Sequence, residues 1–212
     1  MISWIVASHR PEVLAANLAA TLVLGDCDEL VVVENSPSIA VAYNRGQARA
    51  TQPIRCYVHQ DVQVLDPTRL RSELLVHCTP KVGMVGVVGS VDRVVPWWEG
   101  VCRGSAVDAR MGVLDFGAGG ECAYLDGLLL ATAQRLVWDE DYPGFHTYDH
   151  DMCEQQLAAG RRNWCLTGGA GLVLHNTAGP TDVARLNGWD AGLARFRRKW
   201  GMDGSGGRGA LG

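Results

Sequence analysis

A mostly parallel α/β sheet is what the first ninety residues predict. Short apolar runs alternate there with stretches of helical spacing, and the connections between them are short. Alternating units of this kind build a parallel sheet with helices on both faces. The runs are also apolar throughout, as strands buried on both faces require.

Taken in order, residues 2–7 form an apolar run ending in Ser8, His9, Arg10 and Pro11, a buried strand entering a loop. Residues 12–24 carry Val13, Leu14, Leu18, Leu22 and Val23 at helical spacing. Residues 30–33 are a second strand, closed by the turn formers Glu34, Asn35, Ser36 and Pro37, with a helix over 38–51. A third strand, 54–58, runs into His59, Gln60 and Asp61. Asp66 before Pro67 is a helix start, because aspartate caps the first N–H groups and proline suits the first helical position. That helix reaches about Cys78, and residues 82–88 make a fourth strand.

The pattern changes after Gly89. Residues 90–122 mix charges, glycines and the pair Trp97-Trp98 without a clear period, which predicts loops and irregular strands. Residues 124–132 read as a strand and 149–160 as a helix ended by Gly160. Residues 170–174 are a last strand before His175. A final helix is expected over 182–200, with Leu186, Trp189, Leu193, Phe196 and Trp200. One domain is therefore expected over residues 1–200, followed by a glycine-rich flexible tail over 201–212.

At 212 residues, 47% hydrophobic and 20% charged, the chain has a globular rather than a disordered composition. No apolar run approaches the ~18–20 residues that span a bilayer, and no basic residue precedes the opening apolar stretch, so no signal peptide is expected. Seven scattered cysteines without a CxxC pair argue for reduced thiols and a cytoplasmic location. Charge is uneven: −2 over residues 1–100, −7 over 101–160 and +5 over 161–212. An acidic middle and a basic end are either solvated surface or a carboxylate-lined site beside a patch that holds an anion.

Ligands of open α/β sheets bind beyond the carboxyl ends of the strands. Those ends gather Ser8-His9, Glu34-Asn35, Gln60-Asp61 and His175. Asp61, directly after a strand, either holds a divalent cation or makes a turn. His175 is a second ligand or a structural histidine. In GFHTYDHDMCEQQLAAG (144–160), Asp149 shares a helix face with Met152 and Cys153. A carboxylate positioned and partly desolvated there suits a general base, and equally a helix cap. There is no GxxxxGK[ST] loop, no GxGxxG after the first strand and no GxSxG elbow.

Eight pieces in order, ASHRP, VVVENS, SIAVAYNRGQARAT, YVHQDV, KVGMVGVVGS, LDGLLLAT, GFHTYDHDMCEQQLAAG and LVLHNTAG, resemble the GT-A fold glycosyltransferases, in particular the small family-2-like bacterial group, over about residues 1–180. The resemblance implies a nucleotide-diphospho-sugar transferase fold and transfer of a sugar, with inversion, from a nucleotide-diphosphate donor to an acceptor hydroxyl. A UDP-sugar is the implied donor, and Mn²⁺ or Mg²⁺ the implied cation. Ser8, Glu34 and Asn35 would line the nucleotide pocket, and Asn44, Arg45 and Gly46 match a turn near the nucleotide. His59-Gln60-Asp61 stands at the DxD motif, with Gln60 and Asp61 on the donor side and Asp61 on the metal, which His175 also reaches. Asp126 and Gly127 match the acceptor-side strand, where Trp97 and Trp98 could offer a flat face to a sugar ring. Tyr148-Asp149 stands at the usual glutamate–aspartate pair, with Asp149 as base. The basic segment at Arg195, Arg197, Arg198 and Lys199 is a solvated face or lies near an anionic donor or acceptor.

His59 and Tyr148 depart from the family pattern, each standing where a carboxylate is usual. They motivate a rival reading, a non-catalytic nucleotide- or glycan-binding relative. A sugar nucleotidylyltransferase is a weaker rival, because ASHRPEV lacks that class's glycine-rich loop. The acceptor stays open among a glycan, a lipid-linked saccharide, a protein, a metabolite and a hydroxylated DNA base.

Overall fold

The computed structural model describes residues 1–176 and 188–202. Strand β1 (Ile2–Ser8) lies between β2 (Glu29–Glu34) and β3 (Ile54–His59), parallel to both. This is the parallel sheet that the alternating apolar runs predicted. Helix α3 (Ile39–Arg49) covers β1 with Ile39, Ala42 and Tyr43. Its Gly46 lies so close to Ile5 that a Cβ would come within 2.3 Å of that side chain. Asn44, Arg45 and Gly46 therefore form no turn. They are mid-helix, and the glycine is there for close packing.

Residues 12–24 do not make one helix. Asn17 divides them into α1 (Pro11–Ala16) and α2 (Leu18–Thr21). The buried Asn17 side chain donates to Val13 O and accepts from Gln63 and Asn176, contacts that need its own position fixed rather than helix continuity. Gln63 belongs to β4 (Val62–Val64), a short strand that sequence periodicity did not show. Helix α4 (Pro67–His77) starts as predicted, with Asp66 accepting from the N–H of Arg69 at 2.9 Å.

Two expected strands are each divided between sheets. Residues 82–88 become β5 (Val82–Gly86) and the start of β6 (Val88–Ser90). The aperiodic stretch contains the short helical turn Trp97–Glu99, β7 (Cys102–Asp108), β8 (Gly112–Asp115) and β9 (Gly120–Cys122). Residues 124–132 become β10 (Tyr124–Leu125) and β11 (Leu129–Thr132), broken at Asp126-Gly127. Helix α5 (Tyr148–Ala158) leads to β12 (Arg162–Cys165), which pairs with β5 and β9. Residues 169–171 are a helical turn, so the last expected strand shortens to β13 (Val173–His175). Helix α6 (Trp189–Trp200) follows. The expected residues 182–187 of that helix, Leu186 included, and the tail at 203–212 lie outside the described residues.

Among the described residues the larger sheet runs β2-β1-β3-β11-β5-β12-β9, with β11 antiparallel to both neighbours and β9 antiparallel to β12. Within that sheet parallel pairing is confined to β2-β1-β3 and β5-β12, and in the second sheet β13 runs parallel to β7. The second sheet runs β10-β6-β7-β13-β4, with β8 paired to β7. Trp4, Ile5, Tyr57, Val58, Leu129 and Met152 are fully buried in one core between sheet and helices, each such side chain contributing about 1.5–3 kcal/mol by leaving water. At the cleft end of this core Tyr43, Tyr57, Trp138 and Tyr148 pack with their rings tilted or edge-on, the Tyr43 and Tyr57 centroids 4.9 Å apart. That cluster sets the floor on which the site stands.

Candidate active site

A cleft of about 880 Å³ opens at the carboxyl ends of β1, β3 and β13. Chain direction explains its chemistry: a parallel strand leaves its last side chains, and the loop after it, at one edge. The end of β3 brings His59, Gln60 and Asp61, the end of β13 brings His175, and the break between β10 and β11 brings Asp126 and Gly127.

One nitrogen of His59, one carboxylate oxygen of Asp61 and one nitrogen of His175 lie within 4.8 Å of each other. Asp61 Oδ1 is 3.4 Å from His175 Nε2, and the opposite nitrogen, Nδ1, is 3.3 Å from Asp108 Oδ2. Burial opposes the charge on Asp61, but the hydrogen bond to His175 and the attraction of His59 outweigh it, holding the carboxyl down to about 2. For His175, burial opposes protonation, and the hydrogen bond and charge of Asp61, helped by Asp126 and Asp108, raise its pKa. His59 shifts the other way: burial outweighs the attraction of Asp61 and lowers its pKa. Two imidazoles and a carboxylate this close fit the donor set of a divalent ion.

Gln60 faces backward. Its Oε1 accepts from Ser8 Oγ, His9 N and Arg10 N, each at 3.2 Å, and so fixes the loop that leaves β1. Ser8 is thereby buried just behind the cleft wall. Glu34 and Asn35 sit on the same sheet edge, Glu34 level with Ser8 and Asn35 N donating to Ser8 O, outside the residues that line the cleft. Asn44 is turned to the loop at Trp138, donating to its carbonyl and accepting from its N–H. Neither Asn44 nor Arg45 lines the cleft.

The first turn of α5 is the centre of the site. Thr147, at φ 60°, takes the left-handed conformation that a β-branched residue rarely adopts, and launches the helix from it. Asp149 is not the N-cap, which is Thr147, yet it takes one free N–H of the helix's first turn as well as reaching outside the helix. Its Oδ2 accepts from Gly127 N at 3.1 Å, and its Oδ1 accepts from His150 N at 2.9 Å and lies 2.8 Å from His150 Nδ1. Because His150 Nε2 accepts from Trp97 N at 3.2 Å, the ring proton sits on Nδ1 and points at Asp149. Burial opposes ionisation of Asp149, and the attraction and hydrogen bonds of His150 outweigh it, so the carboxylate persists well below neutral pH. Gly127 can be nothing larger, since a Cβ would come within 2.1 Å of the Tyr148 hydroxyl.

The opposite wall is aromatic. Trp97 is buried and donates from Nε1 to Asp126 Oδ2 at 3.1 Å. Trp98 is 54% exposed and stacks on Trp189 of α6, centroids 5.6 Å apart. Arg197 of α6 also lines the cleft. The other basic residues divide: Arg195 and Lys199 pair with Asp139, and Lys199 also with Asp151, while Arg198 is exposed.

Sequence reasoning placed Asp61, His175, Asp126, Gly127, Trp97, Trp98 and Asp149, and the structure brings these to one cleft. It passed over His59 as a ligand, although His59 stands two residues before Asp61, at the end of β3. It also missed His150 and Asp108. Adjacency to Asp149 was a signal for the first; Asp108 had none, lying in the aperiodic stretch.

The fold is similar to that of a mannosyltransferase, PcManGT from Pyrobaculum calidifontis, solved in complex with GDP-Man and Mn²⁺: TM-score 0.64 at 14% identity, over 96% of this chain and 65% of that one. This chain thus spans a little under two thirds of that protein's length. A197 from STIV is more distant, with TM-score 0.46 at 13% identity over 81% of this chain and 82% of its own. No curated protein sequence matches. A model of a glycosyltransferase-like family matches residues 20–177, a span holding every element of the cleft from β3 to β13. The chain, with its GT-A type fold, belongs to that glycosyltransferase-like family.

Proposed function

We propose that residues 1–200 act as one inverting, metal-dependent transferase domain that moves a sugar from a nucleoside-diphosphate donor to an acceptor hydroxyl. The observation that carries this reading is the meeting, in one cleft, of a cation-competent cluster and a buried carboxylate held by Gly127 N and His150. His59, Asp61 and His175 would hold the ion, which when bound neutralises the leaving diphosphate. Asp149 accepts the proton of the acceptor hydroxyl. The acceptor oxygen then bonds to the anomeric carbon from the face opposite the diphosphate, the bond to the diphosphate breaks, and the anomeric centre inverts. Gly127 N and His150 hold the carboxylate in place for that transfer. Trp98, exposed and flat, is placed to stack against a sugar ring of the acceptor.

The structural neighbour solved with GDP-Man makes GDP-mannose the first donor to test, beside UDP-sugars. Among the described residues no helix is long and apolar enough to cross a membrane; a cytoplasmic site of action is part of the proposal. The test is calorimetric titration of GDP and UDP with and without Mn²⁺, on the parent and on Asp61→Ala. Metal-dependent nucleotide binding is expected in the parent and absent in the variant. Equal metal-dependent affinity in both would overturn the assignment.

A further inference from the structure

The two departures from the family pattern, His59 and Tyr148, lie 89 positions apart and touch: His59 Nε2 is 2.8 Å from the Tyr148 hydroxyl. The same hydroxyl lies 3.2 Å from the carbonyl of Gly127. A phenol has one proton and a carbonyl only accepts, so both contacts are hydrogen bonds in a single arrangement. Tyr148 donates to Gly127 O, and His59 donates from Nε2 to the Tyr148 oxygen. A proton placed on Nε2 by this contact leaves the ring's lone pair on Nδ1.

His175 is held in the same manner, its Nδ1 facing Asp108 Oδ2 at 3.3 Å while Nε2 faces Asp61. A histidine whose far nitrogen is fixed by a carboxylate or another hydrogen-bonding group is the usual arrangement behind a metal ligand, where the outer partner sets tautomer and ring orientation. Packing fixes the outer partners too. Tyr148 is buried with its ring 5.9 Å from Tyr43 and 5.8 Å from Trp138, and Asp108 is buried and accepts from the N–H groups of Arg110 and Met111.

We propose that Tyr148 and Asp108 are positioning residues that make His59, through Nδ1, and His175, through Nε2, two nitrogen ligands beside Asp61, so that the site selects a nitrogen-accepting first-row divalent ion over Mg²⁺. This rests on the reading of the cleft as a cation site and goes past it to the class of ion. Mg²⁺ takes oxygen ligands and sheds water reluctantly. Mixed nitrogen and oxygen sites bind Mn²⁺ more weakly than Co²⁺. The expected order is Co²⁺ over Mn²⁺ over Mg²⁺. An all-carboxylate site would not discriminate against Mg²⁺ in this way.

The experiment uses the full chain and reads binding, not transfer. Free Mn²⁺ is followed by its paramagnetic resonance signal while Co²⁺ or Mg²⁺ is added as competitor. Co²⁺ should release bound Mn²⁺ at comparable concentration, and Mg²⁺ only at about 100-fold excess or more. Tyr148→Phe keeps the packed ring and removes the oxygen, and should weaken Mn²⁺ binding ~10–100-fold. In the metal-free parent, ¹⁵N spectra of the histidine rings should show His59 protonated on Nε2, a readout that holds even if the variant fails to fold. Displacement of Mn²⁺ by equimolar Mg²⁺, or a His59 ring protonated on Nδ1, overturns the proposal. If the selectivity appears but no sugar nucleotide is turned over, the metal inference stands and the transferase reading falls; full transfer with Mg²⁺ alone and no selectivity is the converse.

Discussion

Substituting Asp149 by asparagine separates the two duties a carboxylate at that position could have. Asparagine keeps an oxygen that can accept from Gly127 N and the size that fits against His150. It cannot take a proton from an acceptor hydroxyl. With intact folding and unchanged Mn²⁺ and nucleotide binding, transfer should fall ~10²–10⁴-fold, the contribution of a positioned base. Transfer at the parental rate would make Asp149 a purely structural ligand of Gly127. Its depressed pKa bears on the acid side of the rate profile. A base whose carboxyl titrates below 3.8 stays competent as pH falls, until that low pKa is crossed, so loss of rate between pH 6 and 5 would have to come from another group.

Elements are joined here by single buried groups as much as by broad faces. Asp28, before β2, accepts from Ile2 N at the start of β1, from Gly25 N, and from Arg71 of α4 at 2.8 Å. Burial disfavours its charge, but Arg71 and the two backbone N–H groups outweigh that and lower its pKa. Asp28→Asn weakens all of these bonds and should cost about 2 kcal/mol at neutral pH, in line with hydrogen bonds to charged groups. The sign of the pH effect follows from the depressed folded pKa. The stabilisation is fully present above the unfolded value near 3.8 and is lost as pH falls through the folded value. Urea denaturation from pH 7 to pH 3 should therefore show parent and variant converging on the acid side. A gap that persists unchanged at pH 3 would mean that the contacts are not ionic.

At the scale of the whole molecule, the uneven charge resolves into two structures. Part of the acidic middle faces the cleft, as Asp126 and Asp149 do, with Asp108 behind His175. Another part, Asp139, Asp141 and Asp151, is neutralised by Arg195 and Lys199 of α6, which straps that helix to the loop before α5. Since the cleft draws ligands from β3, β13 and α5, an ion and a nucleotide bound together should stabilise the entire chain. At 100 times the dissociation constant the gain is about 2.7 kcal/mol, a rise in Tm of roughly 5–10 °C for a chain of this length. GDP-mannose with Mn²⁺ should raise Tm by more than the sum of each alone. Simple additivity in thermal melts would show that the ion does not bridge protein and donor.

Much of this was written in the sequence because it is local. Continuous apolar runs at residues 2–7, 30–33 and 54–58 made parallel strands, and Asp66-Pro67 started α4 where capping chemistry puts a helix start. Strand ends are also local, so Asp61 and His175 could be named before either was seen near the other. The tertiary structure decided whatever depends on partners far along the chain. Asn17 interrupts a helical pattern because Gln63 and Asn176 claim its side chain, and a strand pattern at 124–132 divides because its two halves pair in different sheets. The local pattern read a helix through Asn44 and Gly46, as found, whereas the turn that the resemblance implied there is absent and both residues serve packing. Above all, His59 and Tyr148 stand as two separate losses of a carboxylate in the linear chain, and only the fold, by bringing β3 against the first turn of α5, makes them one hydrogen-bonded pair. Periodicity reports burial within a segment; the pairing of side chains 89 positions apart is set by the packing of those segments on one another.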